Sequence, residues 1–187
     1  MTESQLTTFL DSFKLTSTGD YATVGKADVK RKMLAHYIKR GDGDYEMLGY
    51  KQESMSVASN YDTNTVIDVT GATYLDNNGK SETLDMAEYK VNPTKTKFME
   101  EAIKLKLSDR EEQMNDYTIL TVYGYLRSSD NKCLAVEQEA CTLLLDNDGG
   151  QGYVTSDVNI TLSGIKKYGT VDEIVATPTF VEATDSI

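Results

Sequence analysis

The sequence predicts a mainly β fold with one clear α-helix, and three observations carry that prediction. From Val154 to Gly164 the residues alternate, sending Val154, Val158, Ile160 and Leu162 to one face and Thr155, Asp157, Asn159, Thr161 and Ser163 to the other. A period of two marks a half-buried strand. The aromatic residues are nearly all tyrosine, 12 Tyr against 4 Phe and no Trp, which together with the many Thr and Val favours strands over helices. Only 2 prolines and 13 glycines occur in 187 residues, too few for a disordered or collagen-like chain. At this length the chain can bury one good core but not two large ones.

Taken in order, residues 1–25 read as an N-terminal arm: one short helical turn over Leu6 to Phe13, then a loop rich in Thr, Ser and Gly from Thr16 to Thr23. Leu6, Phe9, Leu10 and Phe13 have no evident partner inside a small domain, so they are candidates for docking on a neighbouring subunit. The domain proper spans residues 26–171. Lys30 to Arg40 is ambiguous by periodicity, but the Gly41-Asp-Gly43-Asp44 turn that follows favours a strand entering a hairpin. Val57 to Val69 reads as a strand, a polar turn over Ser59 to Asn64, and a second strand; a further turn is expected at Asp76-Asn-Asn-Gly79. The whole stretch from Ser59 to Asp85 is a long polar loop, and an excursion of that length usually has a function.

The helix is expected at about 94–107, opened by Asn92-Pro93 and carrying Phe98, Met99, Ala102, Ile103 and either Lys106 or Leu107 on one face, as a lid on a sheet. Glu100 and Glu101 fall on its solvated side. Three strands follow, Tyr117–Arg127, Lys132–Leu145 and Tyr153–Ile165, then a short strand to Val171 and an exposed C-terminal arm over residues 172–187.

The function classes that composition excludes are several. A formal charge of −11 repels nucleic acid and anionic membrane, so tight phosphate binding is not expected. His36 is the only histidine and has no catalytic partner; no CxxC or Cys/His cluster occurs, which removes the usual zinc, triad and redox arrangements. Cys133 and Cys141 lie on what reads as a single strand or a strand with a bend, too far apart to pair, and are expected free and reduced. Asp146-Asn-Asp-Gly-Gly150 lacks the distal glutamate of a calcium loop and reads as a hairpin turn. No catalytic residue, cofactor or metal is expected. The N-terminus has no signal-peptide pattern and no run reaches membrane-spanning length, so a cytoplasm-like site of synthesis is expected.

The order of these elements resembles the major tail (tube) proteins of tailed bacteriophages. The likeness rests on Asp68-Val-Thr-Gly71, on Tyr89-Lys-Val-Asn-Pro93 opening the helix, and on a last strand, Asn159 to Val171, ending in Gly-Thr-Val, over roughly Val29 to Val171. The chain departs from that pattern in lacking an aspartate before the helix-opening proline and in its longer arm. The resemblance implies an antiparallel β-sandwich or half-barrel with one flanking α-helix, assembled as hexameric rings that stack into a tube. It implies that Thr155, Asp157, Asn159, Thr161 and Ser163 face the lumen and that the Ser59 to Asp85 loop reaches the adjacent ring. The partners it implies are further copies of the chain and the tape-measure, tail-terminator and baseplate or tail-tip proteins. Phage DNA would pass through without tight binding, and no membrane is involved. The implied location is the virion tail, assembled in the host cytoplasm. Two alternatives stay open: the inner tube of a contractile tail or phage-like particle, and a small-molecule or carbohydrate-binding β-sandwich using tyrosines such as those from Tyr117 to Tyr125.

Overall fold

A computed structural model describes residues 1–15, 31–50, 52, 55–67 and 73–183. The expected loop at Thr16–Thr23 and the Asp68–Gly71 element lie outside them. The elements are α1 (Glu3–Asp11), β1 (Lys14–Leu15), β2 (Leu34–Arg40), β3 (Glu46–Met47), β4 (Ser56–Ile67), β5 (Thr73–Lys90), α2 (Lys97–Leu107), β6 (Tyr117–Arg127), β7 (Cys133–Gly149), β8 (Thr155–Leu162), β9 (Lys166–Val171) and β10 (Val181–Glu182).

The strands form one antiparallel sheet that folds on itself through β7. Its first part, Cys133–Gln138, pairs with β6 and β9; its second, Thr142–Gly149, pairs with β8. Between them Ala140 takes a left-handed backbone conformation at φ 53. One half of the sheet thus runs β3-β2-β6-β7-β9-β10 and the other β7-β8-β5-β4. The expected β-sandwich or half-barrel is observed, as an open half-barrel. Cys133 and Cys141 sit either side of the bend, free and fully buried.

The main core fills the fold's concave side. Leu84, Ile160 and Leu143 form one row in register, and Met86, Val158 and Leu145 the next; across from them lie Ile38, Tyr117 and Ile119. Burying each such side chain contributes about 1.5–3 kcal/mol. Helix α2 lies on the sheet as expected and packs its apolar face into this core. Its buried residues are Phe98, Met99, Ala102 and Leu105, while Leu107 is 78% exposed, so the stripe ends at Leu105 and not at Lys106 or Leu107. The helix begins later than expected because Asn92 builds a turn of its own: its carboxamide oxygen accepts from the backbone N–H of Thr94 and Lys95 at 3.0 and 3.1 Å. Glu46 on β3 then accepts from Phe98 N at 3.3 Å at the helix entrance. Glu100 pairs with Lys104 on the solvated side, but Glu101 engages Arg40 of β2.

Three further expectations are corrected. Ser59–Asn64 is not a turn, and Asp76–Gly79 does not reverse the chain: both belong to one long hairpin in which Ser56 pairs with Asp85 and Ile67 with Thr73, with an irregularity between Asp62 and Thr63. The C-terminal segment to residue 183 is no free arm, since Ile174 and Phe180 pack on a second cluster around Tyr37 and Tyr45 and the Tyr37 hydroxyl donates to Val175 O at 2.9 Å. Gly169 lets that segment pass, because a Cβ there would collide with Val181 O and the Phe180 ring. The arm's single turn is a nine-residue helix, capped by Thr2 and Gln5 bonding to each other's backbone. His36 is 1% exposed, with Nδ1 3.0 Å from Thr121 Oγ1. Among the described residues no helix is long and apolar enough to cross a membrane.

Candidate functional site

The convex face of the β4-β5-β8-β7 half is the surface on which the candidate residues fall. Along β8 the alternation is clean: Ser156, Val158, Ile160 and Leu162 point into the core, and Thr155, Asp157, Asn159 and Thr161 point away from it. Val154 departs from the expected pattern. It precedes the strand and is 64% exposed, and the inward position goes to Ser156. That hydroxyl is tolerated in the core because its one proton is shared between two acceptors, Asp146 O at 2.9 Å and Asp148 Oδ1 at 2.8 Å. Ser163 lies past the strand, its hydroxyl donating to Glu139 O at the β7 bend, so it is a corner residue and not part of the open face.

The pairing register extends this face across the sheet. Thr161 lies between Thr83 and Thr142, Asn159 between Asp85 and Leu144, and Asp157 beside Asp146; Ser56 and Ala58 of β4 continue the rows. Three carboxylates thus share a surface of small polar groups. The cation at its margin, Lys90 opposite Thr155, has its ammonium 5.5 Å from the Tyr153 ring centre. Asn159 donates to Asp85, and Asp157 accepts from Asn147 Nδ2 and from Glu88 N, both at 2.7 Å. Those two bonds, the Asn147 amide first, hold the Asp157 carboxyl below the usual carboxylate range. Asp85, Asp146 and Leu144 belong to the face and were missed in the sequence, although Thr142-Leu-Leu-Leu-Asp146 does alternate weakly.

Beyond β8 the sheet narrows to two strands. Strand β5 pairs with β8 only from Glu82 onward, so Asn60–Ile67 and Thr73–Ser81 project as a ribbon of about 26 Å at 3.3 Å per residue. Strand β4 ends the sheet, and its outer edge has no strand partner among the described residues. At the ribbon's base Glu82, with its side chain 15% exposed, accepts from Lys80 at 2.5 Å and Lys166 at 2.6 Å. Burial alone would raise its pKa, but the two ammonium groups outweigh it and hold the carboxyl at about 2.

The arm residues are split. Phe9 and Phe13, 5% and 8% exposed, pack edge to face at 5.0 Å on Leu134, with Tyr123, Leu126, Tyr168 and Ala183 around them. They have a place in the chain's own core, which corrects the premise that they lack one. Leu10 is 37% exposed and Leu6 half-buried. No group of His, Cys, Asp and Glu among the described residues could hold a metal ion.

No protein-family model and no curated protein matches the chain. Among solved structures it is similar to a chain of the sheath–tube complex of an extracellular contractile injection system, PVC, in the extended state. There the identity is 14% over 83% of this chain and 100% of that one, at a TM-score of 0.47. It is similar to a chain of the virion of a native gene transfer agent particle, at 12% identity over 75% of this chain and 98% of that one, TM-score 0.48. A chain of the anti-feeding prophage tube-terminating cap is similar at 15% identity over 82% of this chain and 97% of that one, TM-score 0.45.

Proposed function

We propose that the chain is a structural, non-enzymatic subunit of a phage tail tube, assembling as hexameric rings that stack into a conduit for genomic DNA. The observation that carries this is the projecting ribbon, whose β4 edge has no strand partner among the described residues. Two strands alone are marginally stable in water, and a 12-residue strand with an unpaired edge invites another chain to pair with it. A second copy supplies both needs. The polar face then lines the lumen through Thr155, Asp157, Asn159 and Thr161, where the neighbouring carboxylates of Asp85 and Asp146 repel phosphate and let DNA slide. The ribbon reaches the adjacent ring. Leu6 and Leu10, left outside the core, are the arm's contribution to neighbour contact. Tape-measure, terminator and baseplate proteins are the further partners, in a virion tail assembled in the host cytoplasm.

Negative-stain microscopy of the concentrated purified protein tests this: rings or tubes with a central hole are expected, and a strict monomer at high concentration refutes it. One observation favours a second reading, a small-molecule or carbohydrate-binding sandwich. A cavity of about 800 Å³ between β2, β3 and the start of α2 is lined by Tyr45, Tyr50, Phe98 and Tyr117, and the Tyr117 hydroxyl has no hydrogen-bond partner among the described residues. Saccharide-induced shifts of the Tyr117 ring resonances would favour it.

A further inference from the structure

Two irregularities in the sheet meet at one side chain. Strands β5 and β7 flank β8, and each breaks register beside it, β5 between Met86 and Tyr89 and β7 between Asp146 and Gly149. Each break holds a residue in the left-handed region, Glu88 at φ 51 and Asn147 at φ 50. Neither is glycine; asparagine tolerates this region better than glutamate does, so support from the surroundings matters most at Glu88. The carboxylate of Asp157, on the strand between them, bonds to both: Oδ1 accepts from the backbone N–H of Glu88 and Oδ2 from the side-chain Nδ2 of Asn147, each at 2.7 Å. Bonds to an ionised acceptor are the stronger kind. Asp157 also stands directly opposite Asp146, and like charges facing each other across strands are unfavourable. Its position is therefore poor for a residue whose role is charge and good for one whose role is to bind two donors.

We propose that Asp157 is a positioning residue that pins a bulge in each neighbouring strand and thereby sets the bend of the convex face, contributing shape rather than charge. Bulges bend a strand and increase its twist, and two at one level across three adjacent strands bend the sheet as a unit. The consequence for assembly rests on the tube function proposed above: the bend sets the angle at which subunits meet, so a ring closes only while the pin holds.

Glycine separates the two roles, because it adopts positive φ without strain and so keeps a bulge without needing the carboxylate. Three proteins are compared with the wild type: Asp157→Ala, Glu88→Gly with Asn147→Gly, and the triple variant. Thermal unfolding, amide NMR shifts around residues 88 and 147, and microscopy of assemblies are measured for each. Asp157→Ala is expected to lower Tm by about 5–10 °C, to move the amide shifts of both bulges, and to abolish tubes. The triple variant is expected to regain most of the Tm and the tubes, and the double glycine variant to behave as wild type. Unchanged Tm and amide shifts in Asp157→Ala overturn the pin. A triple variant that regains its Tm but forms no tubes overturns the claim that shape, not charge, is the contribution. If the wild type itself forms no tubes, the tube function fails while the Tm and NMR results still decide the pin.

Discussion

Replacing Phe9 and Phe13 with alanine removes what holds helix α1 to the domain. Nine residues are too few for a helix to persist alone in water, and of its residues only Phe9 is buried, with Phe13 just beyond its end. The two rings touch at 5.0 Å and share Leu134 beneath them. A fully buried Phe→Ala change costs about 3–5 kcal/mol; this cluster lies at the margin of the fold, which argues for the lower end. Because the rings contact each other the two losses are not additive, so the double variant is expected to lose about 4 kcal/mol. For a domain of this size each kcal/mol moves Tm by about 2–4 °C, giving a drop of about 8–16 °C. The assay is thermal unfolding by far-UV circular dichroism at a dilution where the protein is monomeric. Leu10→Ala, at a position 37% exposed, is the control and should shift Tm by no more than about 2 °C. A double variant that melts with the wild type would refute docking on the chain's own sheet and return the arm to a neighbouring subunit.

Acid lowers stability through Glu82. Its folded pKa of about 2 lies below the ordinary 4.5, so the stabilisation is complete above pH 4.5 and fades as pH falls toward 2. Screened for its partly exposed lysine partners it amounts to about 1–2 kcal/mol, and Glu82→Gln should flatten that part of the acid-unfolding curve; identical curves would refute it. Replacing Asn60–Gly79 with a short Gly-Ser turn should leave Tm within about 3 °C, since the ribbon adds little to the core, while tubes disappear from electron micrographs. A cysteine at Thr161 probes the lumen without removing Cys133 and Cys141, which are fully buried. A bulky reagent kept out of tubes should label it in monomer and spare it in assemblies, and equal labelling in both would put the face outside.

How much of this was visible in the sequence depended on whether a residue's partner was near or far along the chain. Strand β8 and helix α2 announced themselves because a face that meets one core repeats with a local period, whereas β6 and the first part of β7, buried on both faces, showed as apolar runs bounded by turn residues. The stretch from Ser59 to Asp85 did not. Most of it lies beyond β8, in a ribbon with no sheet layer against it among the described residues, so no alternation marked its strands and polarity read as loop. Phe9 and Phe13, four apart, did carry a helical signal, but Leu134 and Tyr168, which receive them, come more than a hundred residues later. The polar face of β8 was visible as polar and outward. Its shape was not, because Asp157 reaches Glu88 from 69 residues away and Asn147 from 10. Neither Ala87-Glu88 nor Asn147-Asp148 carries a glycine to mark its bulge. Alternation reports which side of a strand is wet; where the strand bends is set by bonds between strands, which a single-sequence pattern does not contain.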